Sequence, residues 1–198
     1  MKNQKRLKPK ILVIVGTIRK NRVGVKVANW YIREAKKSAP DLDFELFDVK
    51  EQNLPLFNEA IPPAQYKYGE LQQRLAKHIG AADGFVFIVG EYNFGIPGSL
   101  KNFFDYFGPR EWQHKAATYV GYGAAGAFRS IDQLWQIMAA LRVASVANWD
   151  DTIHIDHMWT AFDEEGNLKT EHIRYGSVEK QLKEFSWWVY ALKAARER

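Results

Sequence analysis

The chain has 198 residues, 46% hydrophobic and 14% aromatic, with no cysteine and a net charge of +5 at neutral pH. That is enough apolar material for one core, and it excludes a disulfide framework, a thiolate metal site and a thiol nucleophile. The charge says less than it suggests. Lys2, Lys5, Arg6, Lys8 and Lys10 fall in the first ten residues, leaving 23 basic and 23 acidic residues beyond them. Residues 1–9 therefore read as a basic flexible tail and residues 10–198 as a single domain, with no nucleic-acid partner expected.

Ile11–Val15 is apolar throughout and stops at Gly16. A membrane helix needs roughly 20 such residues, and Arg19-Lys20 follows without a small-residue cleavage site. The expected location is cytoplasmic, with no membrane partner. The run reads instead as a strand buried on both faces. Next comes Gly16-Thr17-Ile18-Arg19-Lys20-Asn21-Arg22-Val23-Gly24, then a helical stripe of Val25, Ala28, Ile32 and Ala35. Phe44–Val49 is a mixed strand nearer an edge, and Leu71, Leu75, His78 and Ile79 mark a second helix. Phe85–Val89 repeats the fully apolar pattern and ends at Gly90. After the polar loop that follows, Pro97 can open a helix striped by Leu100, Phe103, Phe104 and Phe107, which Gly108-Pro109 stops. Thr118–Gly121 and Val143–Val146 are the fourth and fifth strands. Between them lies the stripe Phe128, Ile131, Leu134, Trp135, Met138 and Leu141. Val178, Leu182, Phe185, Val189 and Leu192 form the last helix.

Strands alternating with helices five times predict an α/β fold: a doubly wound, five-stranded parallel sheet in the flavodoxin-like order 2-1-3-4-5, with helices on both faces. Strands 1 and 3 are then neighbours whose helices leave on opposite faces. A crevice opens at their C-terminal ends, lined by residues 16–24 and 90–98, with 121–127 beside them.

Each loop carries its own chemistry. The first opens a helix, whose unpaired N–H groups favour an anion. Thr17 adds a hydroxyl, and Arg19 and Arg22 add forks that match phosphate oxygens. The loop is neither a Walker A motif nor Gly-x-Gly-x-x-Gly. In the second, Gly90, Gly95 and Gly98 let backbone approach a flat ligand, Tyr92 can lie against a ring, and Asn93 offers both donor and acceptor. The third, Gly121-Tyr122-Gly123-Ala124-Ala125-Gly126-Ala127, suits either backbone donors facing a ring or tight helix–sheet packing.

"GTIRKNRVG", "EYNFGIPGSLKNFFDYF" and "GYGAAGAFRSIDQLWQIMAALR", in this order over residues 10 to about 148, resemble the NADPH-dependent FMN reductase family, which also holds quinone, azo-dye and chromate reductases. The resemblance implies non-covalent FMN. It sets Thr17, Arg19 and Arg22 at the 5′-phosphate, with Gly16 and Gly24 also cofactor-binding, and Glu91, Tyr92 and Asn93 beside the isoalloxazine. Gly121, Gly123 and Gly126 then approach the pyrimidine side. It also implies NADPH as donor, a small-molecule acceptor (quinone, azo dye, metal ion or flavin) and a homodimer or homotetramer. Thr17 stands where many members have serine, and Gly90 where many have proline. The flavin does the chemistry, so no catalytic side chain and no metal is expected. Flavodoxin-type electron carriers and regulatory flavin binders are the alternative class.

Other residues read as structural. In Ile153-His154-Ile155-Asp156-His157 the two histidines face opposite sides of an extended chain, against a shared metal. Lys101, Asn102 and Asp105 pin or cap their helix. Asp48 reads as a surface carboxylate, and Trp149, Trp159, Trp187 and Trp188 as core or, second, as subunit interface. The stretch "AFDEEGNLKTEH" reads as a turn-bearing insertion able to cover a neighbouring subunit's flavin.

Overall fold

The structure, a computed structural model, describes residues 8–65, 67–146, 148 and 151–198. The first seven residues of the expected tail and Trp149 lie outside the described residues. Lys8 and Pro9 rest on the body: the Lys8 ammonium donates to Pro40 O at 2.6 Å and Pro9 O accepts from Asp43 N at 2.9 Å.

The strands are β1 (Lys10–Val15), β2 (Asp43–Asp48), β3 (Gly84–Gly90), β4 (Ala116–Tyr122), β5 (Ala144–Ser145), β6 (Ile153–Ile155) and β7 (Ile173–Tyr175). The helices are α1 (Gly24–Ser38), α2 (Glu70–Gly80), α3 (Gly98–Asp105), α4 (Pro109–Trp112), α5 (Phe128–Ala140) and α6 (Val178–Arg196). The sheet runs β2-β1-β3-β4 in parallel, the expected order. The fifth lane is divided. β5 pairs with the start of β4 at Ala116 and Ala117, and β6 with its end from Val120 to Tyr122. β7 then adds an antiparallel edge against β6. The stretch 153–156 is extended, as its alternation implies, but three-residue strands leave too short an apolar pattern to predict their pairing in the sheet.

Strand alternation divides the core. Ile11, Val13, Val15, Val86 and Ile88 point to the face covered by α1 and α6, while Leu12, Ile14, Phe85, Phe87 and Val89 face α2, α3, α4 and α5. On the second face Phe85, Phe87, Phe103, Phe104, Phe107 and Tyr119 surround buried Trp112 or one another, with Phe85–Trp112 centroids 5.0 Å apart. Each such ring contributes about 1.5–3 kcal/mol by burial. The α3 stripe is buried as expected. On α1 the fully buried residues are Val27, Ala28, Tyr31 and Ala35, with Val25 and Ile32 flanking them. α3 ends at Asp105, and Pro109 opens the short α4 rather than only stopping a helix.

At the N-terminal end of the sheet the charges are saturated. Asp83 accepts from Lys10 N (3.0 Å), Lys193 Nζ (2.8 Å) and Arg196 Nη2 (2.8 Å). Lys115 donates to the carbonyls of Ile79, Gly80 and Glu111, and burial, with the nearby Arg196 charge, pushes its ammonium down to about 8. Two tryptophans depart from the expected core: Trp159 is 80% and Trp187 62% exposed. Among the described residues no helix is long and apolar enough to cross a membrane.

Candidate cofactor site

The C-terminal ends of β1, β3 and β4 converge on a cleft of about 320 Å³. Arg19, Lys20, Asn21, Arg22 and Val23 form one wall, Gly90, Glu91 and Tyr92 a second, and Tyr122, Gly123, Ala124, Met158 and Trp159 the rest. A larger cleft of about 620 Å³ lies across the first loop, lined by Ile18, Val49, Leu54, Pro55, Leu56 and Asn102 among others. Its one charged side chain is Lys50, so the smaller cleft carries the convergent chemistry.

The loop between β1 and α1 is held from beneath. The Arg22 guanidinium donates to Asp48 Oδ1 at 2.7 Å, to Asp48 Oδ2, and to Thr17 O. Asp48 ends β2 and also accepts from Lys50 N, so it latches the loop and is not the loose surface carboxylate the sequence suggested. The Asp48 hydrogen bonds hold Arg22 above its ordinary value, against the opposing effect of burial. Arg22 is thereby largely spent inside the protein. Arg19 lies over the Tyr92 ring, 5.3 Å from its centroid. α1 begins with no capping side chain and no acid in its first turn, so its first N–H groups have no side-chain anion to meet.

The turn after β3 is Tyr92-Asn93-Phe94-Gly95. Tyr92 N donates to Gly95 O at 2.9 Å and Gly95 N to Tyr92 O at 3.1 Å. Asn93 and Phe94 both have positive φ, 49° and 66°, as a primed hairpin turn requires. Asn93 suits that conformation and does not line the cleft; Phe94 bears strain there, 64% exposed with the Arg129 guanidinium 3.9 Å over its ring. Glu91 lines the cleft but also accepts from Arg129 N (3.1 Å) and Arg129 Nη1 (3.2 Å), capping α5. Burial raises the Tyr92 phenol, with Arg19 opposing.

The predicted glycines separate by role. A Cβ on Gly24 would sit 2.6 Å from Tyr122 Oη and 2.8 Å from Thr17 Oγ1. Its absence lets those hydroxyls meet at 3.0 Å. A Cβ on Gly16 would meet Leu100 at 2.8 Å, and one on Gly121 would meet Gly126 O at 2.5 Å. Gly126 has φ +83° and packs on His154. These four serve packing. Gly123 alone of the five has open space around its Cβ position and lines the cleft. Thr17 is buried against Tyr122, whose phenol burial pushes up to about 12, the Thr17 hydrogen bond opposing.

The family model described as NADPH-dependent FMN reductase matches residues 9–153. The chain belongs to that family. An NAD(P)H-dependent FMN reductase of Nectria sp is 33% identical over 145 residues, 70% of this chain and 71% of the relative. A quinone reductase of Pseudomonas putida is 29% identical over 191 residues, 90% and 94% of the two chains. Among solved structures, the flavoenzyme NAD(P)H:(acceptor) oxidoreductase FerB of Paracoccus denitrificans shares the fold at a TM-score of 0.63 and 20% identity, covering 94% of each chain. The chain is thus an oxidoreductase working with FMN and NAD(P)H. Its cleft fits that cofactor on its own terms: a helix start without an acid, two cations in excess of Asp48, an aromatic ring and one open glycine meet in one volume.

Of the eleven residues singled out, Arg19, Arg22, Glu91, Tyr92 and Gly123 line this cleft, and Gly16, Thr17, Gly24, Asn93, Gly121 and Gly126 stand behind it. Sequence reasoning missed Met158, read Asp48 as a surface carboxylate and Trp159 as core or interface, and gave Tyr122 no role of its own within the third loop. Strand alternation could have found Tyr122, which shares a face with Val120. No local pattern links Arg22 to Asp48, 26 residues away.

Proposed function

We propose that this cleft holds FMN, its phosphate against the first loop and its ring beside Tyr92, and that electrons pass from NADPH to a small quinone-type acceptor. The observation that carries this reading is the surplus of positive charge at the α1 start, with Arg19 5.3 Å from the Tyr92 ring centroid and Lys20 lining the same cleft. Bound FMN supplies hydride acceptance and electron release, which no side chain of this chain can replace. Arg19, Lys20 and the first amides of α1 bind the phosphate, as charged forks and helix N-termini do. The Arg22–Asp48 latch keeps those amides in place. Tyr92 offers its face to the ring, and Gly123 keeps backbone close without a Cβ in the way. The Thr17–Tyr122 pair, neutral at physiological pH, closes the cleft floor. Overall, NADPH, a proton and a quinone give NADP⁺ and the hydroquinone.

Azo dyes, metal ions and free flavin are further acceptors of the same open site. The protein works as a homodimer or homotetramer in the cytoplasm; Ile18, Leu56 and Trp159, exposed apolar residues lining the two clefts, support subunit contact there. The absence of cysteine suits a reducing compartment.

Anaerobic titration of the FMN-loaded protein with NADPH tests the reading. Stoichiometric bleaching of the flavin bands, followed by sustained NADPH consumption when benzoquinone is added, is expected. Bleaching without turnover would make the protein an electron carrier, and a chain that takes up no FMN would end the proposal.

A further inference from the structure

The structure also brings together three side chains that the flavin site does not use. Asp156 follows β6, His157 is next to it, and His172 closes the short turn Thr170–His172 that leads into β7. Asp156 Oδ1 lies 3.1 Å from His157 Nδ1 and 3.6 Å from His172 Nδ1. One donor atom from each of the three falls within 4.8 Å of the other two. The backbone fixes the arrangement, because Asp156 N donates to His172 O at 3.0 Å just beyond the Ile155–Ile173 pair of β6 and β7.

We propose that Asp156, His157 and His172 form a binding site for a divalent transition-metal ion of the Zn²⁺ class. Zinc–nitrogen and zinc–oxygen bonds of about 2.0–2.2 Å at tetrahedral angles put donor atoms roughly 3.4 Å apart. The two Asp156–histidine spacings, 3.1 and 3.6 Å, bracket that value, and the two imidazoles bring their donor atoms within 4.8 Å of each other. The set is two imidazoles and one carboxylate, which selects a borderline metal over Mg²⁺ or Ca²⁺, whose shells are oxygen. Three protein ligands leave a fourth position for water or an exogenous ligand.

A second observation is independent of the distances. His157 has φ +42°, in the left-handed region that a residue with a Cβ adopts at a cost. In that turn, where Thr160 N donates to His157 O at 3.0 Å, the imidazole stays against Asp156 although the side chain is 72% exposed. The other histidine of the His-x-x-His segment faces away, as expected of an extended chain: His154 is buried, with Nδ1 2.8 Å from Gly126 O and Nε2 2.8 Å from Thr152 Oγ1. The site therefore spans two strands rather than one His-x-x-His segment.

Its position gives occupancy a consequence. His157 N donates to Ala124 O (3.4 Å) and Met158 N to Gly123 O (3.3 Å), and Met158 and Trp159 line the flavin cleft. A metal joining His157 to His172 pins the segment that carries this wall.

The test is calorimetric titration of zinc chloride into the tag-free, chelator-treated full chain, with and without FMN. One equivalent of Zn²⁺ per chain, bound at least tenfold more weakly by His157→Asn and by His172→Gln but unchanged in His114→Asn, supports the site. Asparagine tolerates the left-handed backbone at 157, so that variant keeps its fold. Saturable binding unaltered in both ligand variants, or no heat above dilution in the parent chain, overturns the proposal. Neither outcome depends on flavin binding.

Discussion

The two ends of the β-sheet use the same charged groups to opposite purpose. At the N-terminal end, Asp83 takes a backbone N–H and two cations, and every charge in the group has its partner. At the C-terminal end, Asp48 takes one cation, Arg22, and leaves Arg19 and Lys20 facing the cleft with an uncapped helix start. A closed network contributes to stability and recognises nothing further. An open one keeps positive charge in reserve for a ligand that must bring the missing anion.

Substitutions that add a methyl group test where the packing ends and the site begins. Gly121→Ala places its Cβ 2.5 Å from the Gly126 carbonyl and 2.9 Å from Ile131. Overpacking of this kind costs about 3 kcal/mol, and chemical denaturation should show that loss. Asp83→Asn opens the closed network. It should cost about 2 kcal/mol, the scale of charged hydrogen bonds, and leave the FMN dissociation constant of the folded protein unchanged. A change in FMN affinity there would break the contrast between the two ends.

Tyr122→Phe probes the cleft floor. It leaves the buried Thr17 hydroxyl without its partner, at a cost of about 1–2 kcal/mol. The pH dependence has a definite sign. Burial raises the folded Tyr122 phenol from 10 to about 12, so between those values the native state holds a proton that the unfolded chain has lost. Stability falls as pH rises through that window, and it falls less steeply in Tyr122→Phe, measured by denaturant midpoints from pH 9 to 12. Gly123→Ala is the mildest change: with open space around the added carbon, stability stays within about 0.5 kcal/mol while FMN binds more weakly.

How much of this was legible in the sequence follows from the range of each interaction. Ile11–Val15 and Phe85–Val89 announce buried parallel strands because burial on both faces needs no partner to be read. The first and second loops could be placed in one crevice because strand order determines it. The glycines were visible as glycines, but only the fold shows that Gly24 makes room for a Thr17–Tyr122 pair and Gly123 for a ligand. Glu91 was expected against the ring, yet its carboxylate also caps a helix 38 residues later. Arg22 was expected to bind phosphate, and most of its capacity goes to Asp48. Lys101, Asn102 and Asp105 behaved as read: Lys101 pairs with Asp105, and Asn102 pins Pro55 and Phe57. The insertion around Gly166 leans on α1 of its own chain through Arg33. In the β6–β7 edge the extended character of residues 153–156 was legible, but its pairing with the three residues of β7 was not, because so short a partner carries no periodicity.

The most direct measurement is the FMN dissociation constant of the parent chain and of Arg19→Ala, followed by quenching of flavin fluorescence, with denaturation midpoints taken alongside. Loss of one charge-assisted contact to phosphate predicts affinity at least tenfold weaker and an unchanged midpoint. Equal affinity in the two proteins would contradict the assignment of the open positive end of the sheet to the flavin phosphate.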